Sequence, residues 1–177
     1  MKKFLIGVLM FFVFIILYFI QADFFNWFTI AGVSPNLFII FILFLGLFTS
    51  GPFSISMAII TGIILDLVIG KTLGITAIMF CLVAIIAGYF DKNFSKESKL
   101  TIMIMVIGMT IICETANYLL NVLIIEIPLE LVGFAKILAI EVLYNAILTI
   151  IFYGLILKLG YKLERQFKQK NILTRYF

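Results

Sequence analysis

With 177 residues, 64% of them hydrophobic and 12% charged, and a mean hydropathy of +1.26, the chain is too apolar for a water-soluble domain, where roughly a quarter of residues are charged. It reads as an integral membrane protein with room for about six spans of ~20 residues and nothing left for a soluble domain. The net charge of +4 and pI near 9.1 fit a membrane surface better than nucleic acid, and the lack of histidine removes most metal and redox chemistry.

Lys2 and Lys3 precede an apolar run from Phe4 to Ile20. At 17 residues this run exceeds a signal-peptide core of ~7–15, and Ile20-Gln21-Ala22-Asp23 offers no small-x-small cleavage site. It reads as a retained first span, about 4–22. Phe24 to Val33, with Trp27, fits an aromatic-rich segment at the far interface. Spans at about 35–50, 52–69 and 73–90 follow, separated by turns so short that these helices must be antiparallel neighbours. Proline suits a helix start, where its missing N–H would have no partner, so Pro35 and Pro52 mark two N-termini. Gly70 and Gly74 bracket the opposite turn. A polar loop, Asp91 to Lys99, leads to a fifth span at about 100–124; the acidic turn Glu126 to Glu130 leads to a sixth at about 133–157, and a basic tail occupies 158–177. The expected fold is all-α: a six-transmembrane-helix bundle forming a single membrane domain over residues 1–177.

Lysine and arginine set the orientation. With six spans, one side holds Lys2, Lys3, Lys92, Lys96, Lys99, Lys158, Lys162, Arg165, Lys168, Lys170 and Arg175, and the other only Lys71 and Lys136. Under the positive-inside rule both termini are expected in the cytoplasm.

The polar residues within spans are the candidates for chemistry. Asp66, Glu114 and Glu141 each interrupt an apolar run, where a charge costs about 2.5–3.5 kcal/mol on insertion scales and needs a protein-facing partner. Ala58, Gly62, Asp66 and Gly70 recur at i, i+4, a small-residue groove that permits close helix approach. Thr110, Glu114, Asn117 and Asn121 share a face of the fifth span, and Glu141, Asn145 and Thr149 a face of the sixth. Counting from the span ends, all three acids are expected to meet in the outer half of the bundle. Two readings stand: a polar site for a solute, a proton or a partner helix, and interhelical hydrogen-bonded packing in which Lys71 and Lys136 snorkel toward the acids. Cys81 and Cys113, inside apolar runs, read as small packing residues.

An enzyme is not expected. Intramembrane serine and zinc hydrolases rely on a base or ligands that are usually histidine, and an aspartyl protease needs two embedded aspartates where only Asp66 qualifies. No catalytic residue, cofactor, metal or small-molecule substrate is assigned. In the tail, Leu159, Leu163 and Phe167 fall at i, i+4, i+8 with Lys158, Lys162, Arg165 and Lys168 off that stripe. This gives a basic amphipathic extension suited to anionic lipid or to a cytoplasmic protein.

Four short motifs occur in order: Ser34-Pro35-Asn36-Leu37, Gly51-Pro52, Gly62 through Leu65-Asp66-Leu67, and Gly70-x-x-x-Gly74. Together they resemble the rod shape-determining protein MreD family. Two departures stand out: many relatives carry Asp where this chain has Asn36, and basic residues where it has Thr49-Ser50. The resemblance implies a multi-pass protein of the bacterial inner membrane that works with the bitopic protein MreC, linking MreB filaments to peptidoglycan synthases during cell elongation. It also implies a six-helix fold similar to the substrate-binding subunits of energy-coupling-factor vitamin transporters. A small-solute binding or transporter subunit is therefore the alternative function. A vacant pocket with convergent polar groups would favour it.

Overall fold

An apolar chain in lipid must satisfy its own backbone N–H and C=O groups, and helices do so within one segment. The computed structural model describes residues 2–69, 73–93, 98–125 and 129–167. Helix α1 (Lys2–Phe19) passes through a π-helical turn, Ile20–Phe24, into the short α2 (Phe25–Trp27), giving one helical stretch of 26 residues. The first span thus runs past the expected residue 22, and the aromatic segment starts as helix. The chain then reverses through Ala31 and Gly32, both at positive φ (52° and 79°). Ile30 and Val33 exchange two backbone hydrogen bonds of 3.0 and 2.9 Å across this turn, the geometry of a tight hairpin.

Helices α3 (Leu37–Phe48), α4 (Gly51–Ile69), α5 (Ile75–Asn93), α6 (Lys99–Ile125) and α7 (Leu131–Phe167) follow. Four of these and the α1–α2 stretch are long and apolar enough to cross a membrane, whereas α3 has only 12 residues, about 18 Å. The protein is an all-α polytopic membrane bundle. In α3, Phe and Leu surround the axis and ten of the twelve residues are buried, as expected for a helix apolar on every side. It packs against α1, α4, α5, α6 and α7, so it is the hub.

Small residues set the tightest approaches. A Cβ added to Gly62 of α4 would lie 2.7 Å from the Ala77 backbone nitrogen of α5, and one on Gly46 of α3 would lie 3.1 Å from the Ala84 carbonyl oxygen. Neither site has room for a side chain, and α5 answers both with alanines.

Ring contacts fix which ends meet. The Phe53 and Phe167 rings are 4.4 Å apart and the Lys3 ammonium sits 5.9 Å over Phe167, so the starts of α1 and α4 adjoin the end of α7. At the far end Tyr118 stacks on Phe134 at 4.3 Å, and the Tyr118 hydroxyl accepts the Glu130 N–H at 2.7 Å.

Helix α7 spans 37 residues, about 55 Å, and so joins the expected sixth span and the first half of the tail into one rod. Its buried stripe there is Gly160, Leu163 and Phe167, with Leu159 46% exposed. The stripe follows helical phase rather than strict i+4 spacing, and it faces Phe48 and Phe53 of the bundle instead of lying free for lipid. Lys158, Lys162 and Arg165 are exposed on the other faces. Lys168, like Gly70 and Lys71, lies outside the described residues.

Candidate functional site

The first N–H groups of a helix have no acceptor within it, so those at the start of α3 must find acceptors elsewhere. Asn36 is its N-cap: the side-chain oxygen accepts the Ile39 N–H at 3.3 Å. Pro35 therefore stands just ahead of the cap, not at the first helical position expected from sequence. The Asn36 N–H donates to Asn145 Oδ1 at 2.8 Å, and the Leu37 N–H to Gln21 Oε1 at 3.0 Å. Gln21 Nε2 donates in turn to the Pro35 carbonyl. The π-helical turn thus carries a side chain that holds both faces of the Pro35–Leu37 backbone.

From this start the network runs into α6 and α7. Asn36 Nδ2 donates to Glu114 Oε1 at 3.3 Å. Asn145, fully buried, donates from Nδ2 to Thr110 Oγ1 at 3.0 Å, and its carbonyl accepts the Thr149 hydroxyl at 2.7 Å. The carboxyls of Glu114 and Glu141 are neighbours, with the Asn36 side chain beside both. Glu141 is 6% exposed, and its Oε1 accepts no hydrogen bond among the described residues. Asn145 lies 14 residues after Leu131, about 21 Å along α7, so the cluster sits deep within the bundle.

Asp66 does not join the two glutamates, contrary to the expectation from span depth. Its Oδ2 accepts the Gly74 N–H at 2.8 Å and its Oδ1 the Thr76 N–H at 3.2 Å. It holds the first turn of α5, where a carboxylate meets both free donors and the positive helix end. Gly74, at φ 98°, makes the left-handed step that aims its N–H there. We expect Asp66→Leu, which removes both acceptors, to lower stability by about 1–3 kcal/mol, and Asp66→Asn, which keeps one, to fall between it and wild type. Thermal unfolding in detergent checks the order.

The other candidates divide. Gly62 is a packing contact on Ala77. Asn117 and Asn121 are half-buried farther along α6 and bond mainly to each other, Asn121 Nδ2 donating to the Asn117 carbonyl at 2.8 Å and to its Oδ1 at 2.9 Å. Lys136 is exposed, and neither glutamate has a basic partner among the described residues. Cys81 and Cys113 are unpaired thiols. Sequence reading missed Gln21 and the cap role of Asn36. The available signal was a lone amide closing a 17-residue apolar run.

A groove of about 360 Å³ lies between α5 and α6, lined by Ile86, Phe90, Ile104, Met105 and Gly108. Its lining is almost entirely apolar, so it lacks the convergent polar groups of a small-solute site.

No curated protein and no solved structure matches the chain. The family model for the rod shape-determining protein MreD matches residues 1–163, from the start of α1 to within four residues of the end of α7. By that match, which reaches from α1 into α7, the chain belongs to the MreD family of rod shape-determining membrane proteins.

Proposed function

We propose that the chain is a non-catalytic scaffold subunit of the cell-elongation machinery in the bacterial inner membrane, with both termini cytoplasmic. It regulates peptidoglycan insertion together with an MreC-like bitopic protein, and through it with wall synthases and MreB filaments. The observation that carries this reading is the family match over residues 1–163. Two features support it. Gln21, Asn36, Asp66 and Asn145 are spent on capping and joining helices, and the basic residues at the shared end of α1, α4 and α7 fit a cytoplasmic face. The candidate residues take roles accordingly: Gly62 and Asp66 hold α4 to α5, while Asn36, Glu114 and Asn145 hold α3 to α6 and α7.

Depletion of the protein followed by imaging of cell shape, alongside co-purification in detergent, tests the reading. Rounded cells and a co-purifying MreC-like protein are the expected results. Unchanged shape together with a vitamin-uptake defect would transfer the assignment to a transporter subunit.

A further inference from the structure

The Glu114–Glu141 pair is short of hydrogen-bond donors. Asn36 Nδ2 reaches Glu114 Oε1 at 3.3 Å, and the Glu141 carboxyl lies in hydrogen-bonding contact with the Asn36 side chain and with the Glu114 carboxyl. The neighbouring donors are committed elsewhere, the Asn36 N–H to Asn145 Oδ1 and Asn145 Nδ2 to Thr110. Two carboxyls offer about eight lone-pair positions. Glu141 Oε1, on a side chain 94% buried by its 6% exposure, is left with no partner among the described residues. Buried oxygens of this kind are almost always satisfied, and an acid at membrane depth is retained with a partner or a task.

The same face of α6 supplies a way in. It is fully buried at Met109, Thr110 and Cys113 and becomes half-exposed at Glu114, Asn117 and Asn121. A half-exposed polar stripe therefore runs along α6 from the end where Tyr118 meets Phe134 to the glutamates. Such a stripe is poorly matched to lipid. No group of three potential metal-ligating side chains occurs among the described residues, so a bare metal ion is poorly served. What the pair lacks is donors and positive charge together.

We propose that this stripe admits an organic cation, an ammonium or guanidinium group, whose N–H groups bind Glu141 Oε1 and the Glu114 carboxyl. The chemistry is the same whether the cation is free in solution or is the lysine side chain of another polypeptide. The site stands whether or not the scaffold reading holds.

Full-length protein in lipid nanodiscs, wild type and Glu141→Gln, is titrated with millimolar methylguanidinium chloride, and with sodium chloride as the ionic-strength control. Heat unfolding is the readout. We expect methylguanidinium alone to raise the wild-type midpoint, with apparent affinity at least about tenfold weaker in Glu141→Gln, since a charge-assisted bond is lost. A hydrophobic carbodiimide, which couples a carboxyl to a nearby primary amine, then separates the sources in native membranes. A peptide joined to Glu141 through its lysine, identified by mass spectrometry, indicates a polypeptide. Methylguanidinium protection of Glu141 without a joined peptide indicates a free cation. The proposal is overturned if methylguanidinium neither shifts the midpoint nor protects Glu141; the two carboxyls then satisfy each other by sharing a proton. Should Glu141→Gln not fold, protection of the wild-type carboxyl decides alone.

Discussion

Gly62→Leu should lower the unfolding midpoint by roughly 10 °C or prevent the protein from accumulating, whereas Gly154→Leu should be neutral or slightly stabilising. Both changes put the same side chain on a membrane helix. At Gly62 the first added atom already falls 2.7 Å from the Ala77 backbone nitrogen, and backbone cannot rotate aside as a side chain can. Helices α4 and α5 must separate along their length, and overpacking of a tight core costs about 1–3 kcal/mol or more. In a chain of this size each kcal/mol moves the midpoint by roughly 2–4 °C. A Cβ at Gly154 meets nothing within 4 Å, and leucine favours helix over glycine by up to about 1 kcal/mol. Circular dichroism melts of the two purified variants give the comparison; equal effects would mean that the α4–α5 approach does not limit stability.

Asn145→Leu should destabilise by about 1–3 kcal/mol, while Thr149→Val, one turn away and equally buried, should cost less than about 1 kcal/mol. The difference lies in whose hydrogen bonds are lost. Asn145 joins three elements: its Oδ1 takes the Asn36 N–H at the start of α3, and its Nδ2 reaches Thr110 of α6. Leucine there leaves the Asn36 backbone N–H, at the start of α3, without its acceptor. The Thr149 hydroxyl donates only to the Asn145 carbonyl of its own helix, so valine releases no group on another helix. Measured values for single polar contacts in membranes average about 0.6 kcal/mol. The Asn145 effect should exceed that average because a main-chain group is stranded.

The helices themselves were legible in the sequence because each apolar run matched the thickness of a bilayer. Short turns at Ser50 and around Gly74 likewise declared α3, α4 and α5 to be neighbours. What the sequence did not reveal was depth. Counting residues from span ends put Asp66 level with Glu114, but depth along an axis says nothing of direction around it, and Asp66 turns to the start of α5. The short α3 was read as a span over 35–50 because Pro35 marked its start and the Gly51-Pro52 turn its end, although Pro35 and Asn36 precede the helix and Thr49 and Ser50 follow it. Gln21 was hidden by a different cause. A π-helical turn adds a residue and changes which way the following side chains point, so no period of 3.6 residues brings Gln21 to Leu37. The family match required only the order of the motifs, and for that the linear sequence was enough.

The burial of α3 also constrains the order in which the protein can be made. A 12-residue helix is too short to partition stably into a bilayer alone, so it enters as a hairpin with α4, held by the two-residue link between them. Its leading N–H groups then wait. Gln21 has already been synthesised, but Asn145 lies 109 positions after Asn36, on α7, which leaves the ribosome long after α3. The centre of the bundle is thus completed only when α7 arrives, and a chain interrupted before α7 carries an unfinished hub that quality-control proteases can recognise.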